Sequence, residues 1–163
     1  MDRSREYSWS DPMAIAESAR GRSGIEFLRA LVRGDVPPPP IAVTLGFEIV
    51  SVDEGHVVFT VTPGEHLYNP IGVVHGGVAA TMLDTVTGCA VHTTLPAGTA
   101  YTSLDLSVKY LRPLTADTGP VRGIGRVINR GRRTALAEGE LRDAADRLLA
   151  HGTSSCMLFP GTD

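Results

Sequence analysis

The segment from Asn69 to Asp84 contains residue types that can act together on an acyl compound. Asn69 is followed six residues later by His75-Gly76-Gly77, and Asp84 lies nine residues beyond the histidine. We expect the two glycines to begin a helix, where the first backbone amides lack intrahelical partners and the helix dipole adds partial positive charge. Such a helix start can stabilise a phosphate or an oxygen that becomes negative during a reaction. Because a carboxylate can serve as a base or a nucleophile, the combination predicts acyl transfer or hydrolysis.

The stretch after the glycines has the apolar periodicity of a helix. Apolar residues recur at spacings of three and four between Val78 and Val91, which predicts a helix from Gly77 to about Leu95. Asp84 is the only acidic residue of this stretch. A helix with so little charge is expected to be buried on most sides.

This pattern resembles the signature of the hotdog-fold acyl-CoA thioesterases of the phenylacetate-pathway (PaaI) type. Residues 103–113 resemble the strand that follows the central helix in that family. The resemblance covers roughly residues 41–159. It implies an α+β hotdog fold, in which a curved antiparallel sheet wraps a long central helix, and hydrolysis of a thioester without a metal or redox cofactor.

The resemblance also implies roles for individual residues. The Gly76 amide would be the donor to the oxyanion, and Asp84 would attack the thioester or activate water. Asn69 and His75 would shape the loop and hold the thioester or the attacking water. Ser103 matches a hydroxyl that assists near the carboxylate in some members.

The remaining substrate-binding candidates are Gly77 and the arginines near two strand ends. Arg130, Arg132 and Arg133 cluster at a predicted strand turn, and Arg112 ends the preceding strand. These charges would either form a solvated hairpin tip or hold the phosphates of coenzyme A. Arg112 and Arg130 are the candidates for the second role.

Helix geometry adds an argument that does not depend on the family. Gly76 and Asp84 are eight residues apart, which is about 12 Å along a helix. A thioester oxygen beside the amide and its carbon beside the carboxylate cannot both be accommodated by one helix. If both residues are catalytic, the carboxylate comes from a second copy of the chain, and the smallest active unit is a dimer.

Length and composition set the protein class. The 163 residues are 42% apolar and 20% charged, with a formal net charge of −3, which favours a single domain and argues against general nucleic-acid binding. No apolar run is long enough to span a bilayer, and the N-terminus has no apolar signal core, so we expect a cytoplasmic protein without membrane contact. The five histidines show no metal-ligand spacing, so no metal site is expected.

The first 40 residues are predicted to be an N-terminal extension of the hotdog domain, which would span residues 41–163. Residues 12–32 have a helical pattern in which Ser23 can cap the second part and Gly34 can end it. This segment is expected to pack across the outside of the domain, the alternative being a lid over the acyl tunnel. The run of four prolines at 37–40 predicts a rigid, extended connector.

Alternating apolar residues predict the strands. Residues 41–63 are predicted to form two strands joined by a turn at residues 53–55, and a third strand covers residues 102–110, with Tyr110 on its apolar face. Three more strands are predicted near residues 119–129, 133–142 and 147–158. Gly123 and Gly125 fall inside the first of these, where we expect them to allow a bend.

Cys89 and Cys156 are expected to be buried thiols of a reducing compartment and not a disulfide. A Cys89–His92 nucleophile is rejected, because both residues stand in an apolar helix.

Two other functions remain open at this stage: an acyl-thioester hydratase or dehydratase on the same fold, and a non-catalytic acyl-CoA binding module. The sequence does not identify the acyl group. It also leaves open whether the thiol is coenzyme A or a carrier protein, whether the oligomer is a dimer or a tetramer, and whether Asp84 is nucleophile or general base.

Overall fold

The computed structural model describes residues 3–161, which form four α-helices and seven strands. The helices are α1 (Pro12–Ser18), α2 (Gly24–Arg33), α3 (Pro40–Leu45) and α4 (Gly76–His92). The strands are β1 (Glu48–Asp53), β2 (His56–Val61), β3 (Ala100–Ser103), β4 (Ser107–Tyr110), β5 (Val121–Arg130), β6 (Thr134–Arg142) and β7 (Leu148–Phe159). Within this described part, no helix has the length and hydropathy needed to cross a membrane.

All seven strands join one antiparallel sheet. Its order is β1-β2-β5-β6-β7, and the far side of β7 pairs first with β4 and then with β3 along its length. The strands predicted near 119–129, 133–142 and 147–158 are therefore confirmed. Together β3 and β4 form an open edge of the sheet, and α4 packs on the face that the strands curve around.

The single strand predicted over residues 102–110 is interrupted in the structure. Asp105 leaves the ladder, and its side-chain Oδ1 accepts a hydrogen bond from the Ser155 backbone amide at 3.0 Å. The backbone oxygen of Asp105 accepts a second bond from the Ser154 hydroxyl at 2.8 Å. Alternation of apolar residues did not reveal this break, because it is made by side-chain bonds to a distant strand.

The glycines of the sheet let α4 approach the strands closely. A Cβ atom at Gly125 would lie 2.0 Å from the carbonyl oxygen of Val86 in α4. A Cβ at Gly123, Gly139 or Gly152 would come within 3.4 Å of an α4 side chain. The close approach of α4, more than the expected bend, therefore explains Gly123 and Gly125, because glycine has no side chain where the helix lies on the sheet.

Helix α4 begins at Gly76 and ends at His92, close to the predicted bounds. Eight of its 17 residues are buried, so the single chain covers less of the helix than its low charge predicted. Gly77 and Asp84 are exposed in the single chain. The helix thus has a side that faces the sheet and a side that nothing in residues 3–161 covers.

The predicted N-terminal helical region is two helices, α1 and α2, separated by residues 19–23. Ser23 and Glu26 form a reciprocal capping box at the start of α2, and Gly34 ends the helix in the left-handed conformation with φ of 77°. Both predicted signals are confirmed. They act here because the polar cap and the glycine satisfy backbone groups that the helix leaves open.

Helix α2 docks on the C-terminal end of α4. The Gly24 amide donates to the Leu95 carbonyl oxygen at 3.0 Å, and a Cβ at Gly24 would lie 1.8 Å from the carbonyl oxygen of His92. Only glycine fits this contact, so the position of α2 against the domain is fixed by backbone packing.

The expectation of strand structure directly after the prolines was wrong. Pro40 is the first residue of α3, which runs to Leu45 and ends at Gly46 with φ of 76°. Proline is well suited to the first helical position, because its φ angle is preset and its missing amide has no helical partner there. The six-residue helix is too short to show a period in the sequence.

Both cysteines are free thiols, and neither is placed for nucleophilic chemistry. Cys156 is completely buried in β7. Burial, and secondarily the charge of Asp84, raise the pKa of Cys89 to about 12. The thiolate is therefore a negligible fraction at neutral pH, which agrees with the rejection of a Cys89–His92 nucleophile.

We expect Gly125→Ala to lower the free energy of unfolding by about 3 kcal/mol, because its Cβ would overlap the α4 backbone. Urea unfolding followed by circular dichroism measures the change. Arg126→Ala is the matched control, since Arg126 is the next residue of the same strand and is exposed. Equal stability of both variants would contradict the helix–sheet contact described above.

We expect Cys89 and Cys156 to react with iodoacetamide far more slowly in the native protein than in urea at pH 8. A pKa of about 12 leaves on the order of one thiolate in 10⁴ at this pH, and burial of Cys156 limits access. Mass spectrometry of timed samples gives both rates. Rapid native labelling of Cys89 would contradict the raised pKa of its thiol.

Candidate active site

The loop before α4 is held together by Asn69. Its backbone amide donates to the Val73 carbonyl oxygen at 2.8 Å. Its side-chain Oδ1 accepts from the amides of Ile71 at 3.1 Å and Val73 at 3.3 Å. The side-chain oxygen is thus engaged inside the loop, and Asn69 sets the path by which the chain enters α4.

His75 caps the helix. Its Nδ1 accepts a hydrogen bond from the Gly77 amide at 2.9 Å, so in the neutral ring the proton is on Nε2. The Val78 amide bonds to the His75 carbonyl oxygen at 2.9 Å. In the described chain, the Gly76 amide makes no hydrogen bond, and it is the donor left for an oxygen outside the helix.

Tyr110 lies against this helix start, and the sequence did not single it out. Its hydroxyl donates to the Gly76 carbonyl oxygen at 3.2 Å, and a Cβ at Gly76 would lie 3.2 Å from its ring. The apolar alternation placed Tyr110 on the apolar face of a strand, yet 58% of it is exposed. The sequence signal that could have identified Tyr110 is its position as an aromatic residue at the end of that strand, directly before Leu111-Arg112.

Arg112 lies on the same side of the molecule. A depression of about 320 Å³ is lined by Asn69, His75, Gly76, Tyr110 and Arg112, together with neighbouring loop residues. We call these five residues the amide cluster. Arg112 uses Nη1 to donate to the Leu148 carbonyl oxygen at 2.6 Å, which fixes the guanidinium beside the cavity while its other N–H groups remain.

Asp84 and Ser103 form a second group, the carboxylate pair. Ser103 lies at the end of β3, and its hydroxyl donates to Asp84 Oδ1 at 2.9 Å. Both residues are exposed in the single chain. The bond orients one carboxylate oxygen towards the strand and leaves the other available.

One chain does not bring these two groups together. Gly76 and Asp84 belong to the same helix and are separated by about 12 Å along α4. The structure thus unites Asn69, His75, Gly76 and Arg112, and separately Asp84 with Ser103.

Arg130 belongs to neither group, although it lies at the same end of the sheet as Ser103. The register places Arg130 opposite Ala135, Ala135 opposite Cys156, and Cys156 opposite Ser103. Three steps between strands amount to about 14 Å. Arg112, whose amide bonds to Leu149 at the start of β7, is about 23 Å away along that strand.

Comparison with known protein sequences gives the family. Residues 71–150 match the model of the Thioesterase superfamily. A candidate esterase of Halobacterium salinarum is 32% identical over 80% of this chain and 91% of its own length. The 1,4-dihydroxy-2-naphthoyl-CoA hydrolase of Listeria monocytogenes is 26% identical over 65% of this chain and 85% of its own length.

Solved structures agree with this result. A candidate thioesterase of Ralstonia eutropha JMP134, a phenylacetic acid degradation-related protein, has a TM-score of 0.72 and 36% identity, covering 80% of this chain and 98% of its own. The PaaI protein of E. coli has the same fold, with a TM-score of 0.73 at 24% identity, covering 86% of this chain and 97% of its own. The helix wrapped by an antiparallel sheet is therefore the hotdog fold that the resemblance implied, and the chain belongs to the thioesterase superfamily, in its PaaI-like group.

Proposed function

We propose that this protein hydrolyses acyl-CoA thioesters to a carboxylic acid and coenzyme A, in sites that are each built from two chains. The observation that carries the proposal is the position of two incomplete groups on one helix. An amide without a partner begins α4, and a carboxylate held by Ser103 lies two turns further on. Each group lacks what the other supplies.

A symmetric dimer would complete both sites. If two α4 helices lie antiparallel, Gly76 of one chain comes beside Asp84 of the partner subunit, and the symmetry makes two equal sites. The open edge formed by β3 and β4 supports this arrangement, because it presents unpaired backbone groups that a second edge can satisfy. The uncovered side of α4, which includes Gly77 and Asp84, lies next to that edge.

The proposed reaction uses these groups in fixed roles. The thioester oxygen accepts from the Gly76 amide, and the partner's Asp84 either takes a proton from water, which attacks the carbonyl carbon, or attacks that carbon itself. The carbon–sulfur bond then breaks, and the thiolate leaves as coenzyme A after gaining a proton. In the second case, water hydrolyses the acyl-enzyme anhydride. One oxyanion donor typically accounts for about 3 kcal/mol of barrier lowering.

Both candidate arginines can serve the thiol half in this arrangement. Arg112 belongs to the amide cluster, whereas Arg130 lies at the carboxylate end of its chain. The partner subunit's Arg130 would thus accompany the partner's Asp84 to the same side of the dimer. Guanidinium groups suit the phosphates of coenzyme A. The Listeria relative, named as a CoA-thioester hydrolase, supports coenzyme A over a carrier protein.

The two alternative functions have less support. A hydratase or dehydratase needs an acid–base histidine near the reacting carbons, but His75 Nδ1 is occupied as the helix cap. A binding module would not need a carboxylate oriented by a strand hydroxyl, as Ser103 orients Asp84.

We expect Asp84→Asn to reduce kcat for thioester hydrolysis by about 10² to 10⁴-fold, because the amide can be neither base nor nucleophile. Release of thiol from a panel of aryl- and alkanoyl-CoA thioesters measures the loss. Asp117→Asn changes an exposed carboxylate on another part of the surface and is expected to keep full turnover. Comparable turnover by both variants would refute the role of Asp84.

Mixing two inactive variants tests the composite site. Gly76→Pro removes the amide hydrogen, and Asp84→Asn removes the base or nucleophile. After unfolding and refolding together, half of the dimers contain one chain of each kind, and each of these has one intact site. We expect about a quarter of the wild-type activity to return. If each variant refolds to a dimer and the mixture stays inactive, the two residues do not meet across an interface.

A further inference from the structure

A second, larger cavity of about 630 Å³ lies between α4 and the N-terminal helices. Helices α2 and α3 contribute Leu28, Leu31 and Ala42, and Phe59 of β2 closes another side. Helix α4 contributes Thr85, Cys89 and His92, and β3 contributes Tyr101. A volume of this size is typical of sites that hold small molecules.

The chemistry of the walls restricts the occupant. Most lining side chains are aliphatic or aromatic, and the residues that line the cavity include no lysine or arginine. Their one acidic member is Glu48, which is exposed. Burial lowers the pKa of His92 and raises the pKa of Tyr101, so both are uncharged at neutral pH. The walls thus attract apolar groups and carry no cation of their own; the exposed Arg5 guanidinium lies near the lining residue Gly46, where it already donates to the carbonyl oxygens of Val43 and Thr44.

The cavity lies close to the carboxylate pair along α4: Asp84, Gly88 and Ser103 do not line it, but their near neighbours Thr85, Cys89 and Tyr101 do. Asp84, Gly88 and His92 are each four residues apart and share one face of the helix. On β3, Ser103 and Tyr101 alternate by two and face the same way. Ser103 bonds to Asp84, and a Cβ at Gly88 would lie 3.3 Å from the Tyr101 hydroxyl.

These residues indicate the direction in which the cavity extends from Asp84. The rings of Tyr101 and His92 are 5.3 Å apart, so two aromatic rings lie beyond Asp84 towards the C-terminal end of α4. Thr85, which lines the cavity, is the residue next to Asp84. A group bound to a carbon beside Asp84 enters this space within about one helical turn, or 5.4 Å.

We propose that this cavity receives the acyl part of the thioester and that the N-terminal helices determine which acyl groups fit. The cavity favours large, uncharged, apolar acyl groups over acetyl and over acyl groups that end in a carboxylate. The inference rests on the proposed function, because it places the acyl group of that reaction. The inference also goes beyond that function, since it assigns a role to helices α2 and α3. These helices are fixed walls, as the Gly24–His92 contact holds α2 against α4.

Binding of stable thioether analogues tests the cavity without requiring turnover. The probes are S-ethyl-CoA, S-octyl-CoA and an S-octyl analogue that ends in a carboxylate, each measured by calorimetry on the full chain. We expect S-octyl-CoA to bind at least about tenfold more tightly than S-ethyl-CoA, because two buried methylene groups already account for a tenfold difference. The carboxylate analogue is expected to lose this gain.

Two substitutions fill the cavity from the N-terminal walls. Ala42→Phe adds a larger side chain from α3, and Leu31→Trp adds one from α2. If one variant fails to fold, the other still provides the test. Each is expected to reduce the ratio of octyl to ethyl affinity to about one. Val32→Phe is the matched control, because Val32 is on α2, is 42% exposed and does not line the cavity. It is expected to keep the wild-type ratio.

The outcomes separate the two proposals. A wild-type ratio near one, or an unchanged ratio in both filled variants, overturns the acyl cavity even if thioesters are hydrolysed. A high ratio that the filled variants lose supports the cavity, and it does so even if no thioester in the panel releases thiol. A high ratio that is lost in the filled variants, together with no thiol release, would reject the proposed hydrolysis and keep the acyl site.

Discussion

The contact between the backbone of α4 and the glycines of the sheet is the constraint on which the rest of the structure depends. At Gly125 the helix comes so close that even a methyl group would overlap the Val86 carbonyl. Close packing of this kind allows little sliding or rotation, since interiors have few voids. The orientation of α4 then decides which of its residues face the sheet and which face outward, and it fixes Asp84 beside Ser103 at the strand edge.

On the proposed assignment, the helix also explains why the two groups that act on the thioester are divided. The amide donor has to be at the helix start, because only there do backbone amides lack partners. Asp84 stands two turns later, about 12 Å along the helix, so it cannot share a substrate atom with that amide. On the proposed assignment, symmetry resolves this conflict, as each chain supplies the part that its partner lacks.

Much of this arrangement could be predicted from the sequence, because the signals were local. The capping box at Ser23, the stop at Gly34 and the long apolar period of α4 each act within a few residues. The break at Asp105 and the close approach at Gly125 depend on contacts between distant segments, which no local pattern encodes. Tyr110 was missed for the same reason, and α3 was missed because one and a half turns show no period.

The division of the chain at β1 has an evolutionary consequence. Two of the cavity's walls, α2 and α3, precede residue 48, whereas Gly76, Asp84 and Ser103 follow it. On the proposed assignment, mutations in the first segment would alter which acid is released without disturbing the groups that release it. The substrate of such an enzyme could therefore change by mutation or exchange of its N-terminal helices, while the residues that carry out the reaction stay under separate constraint.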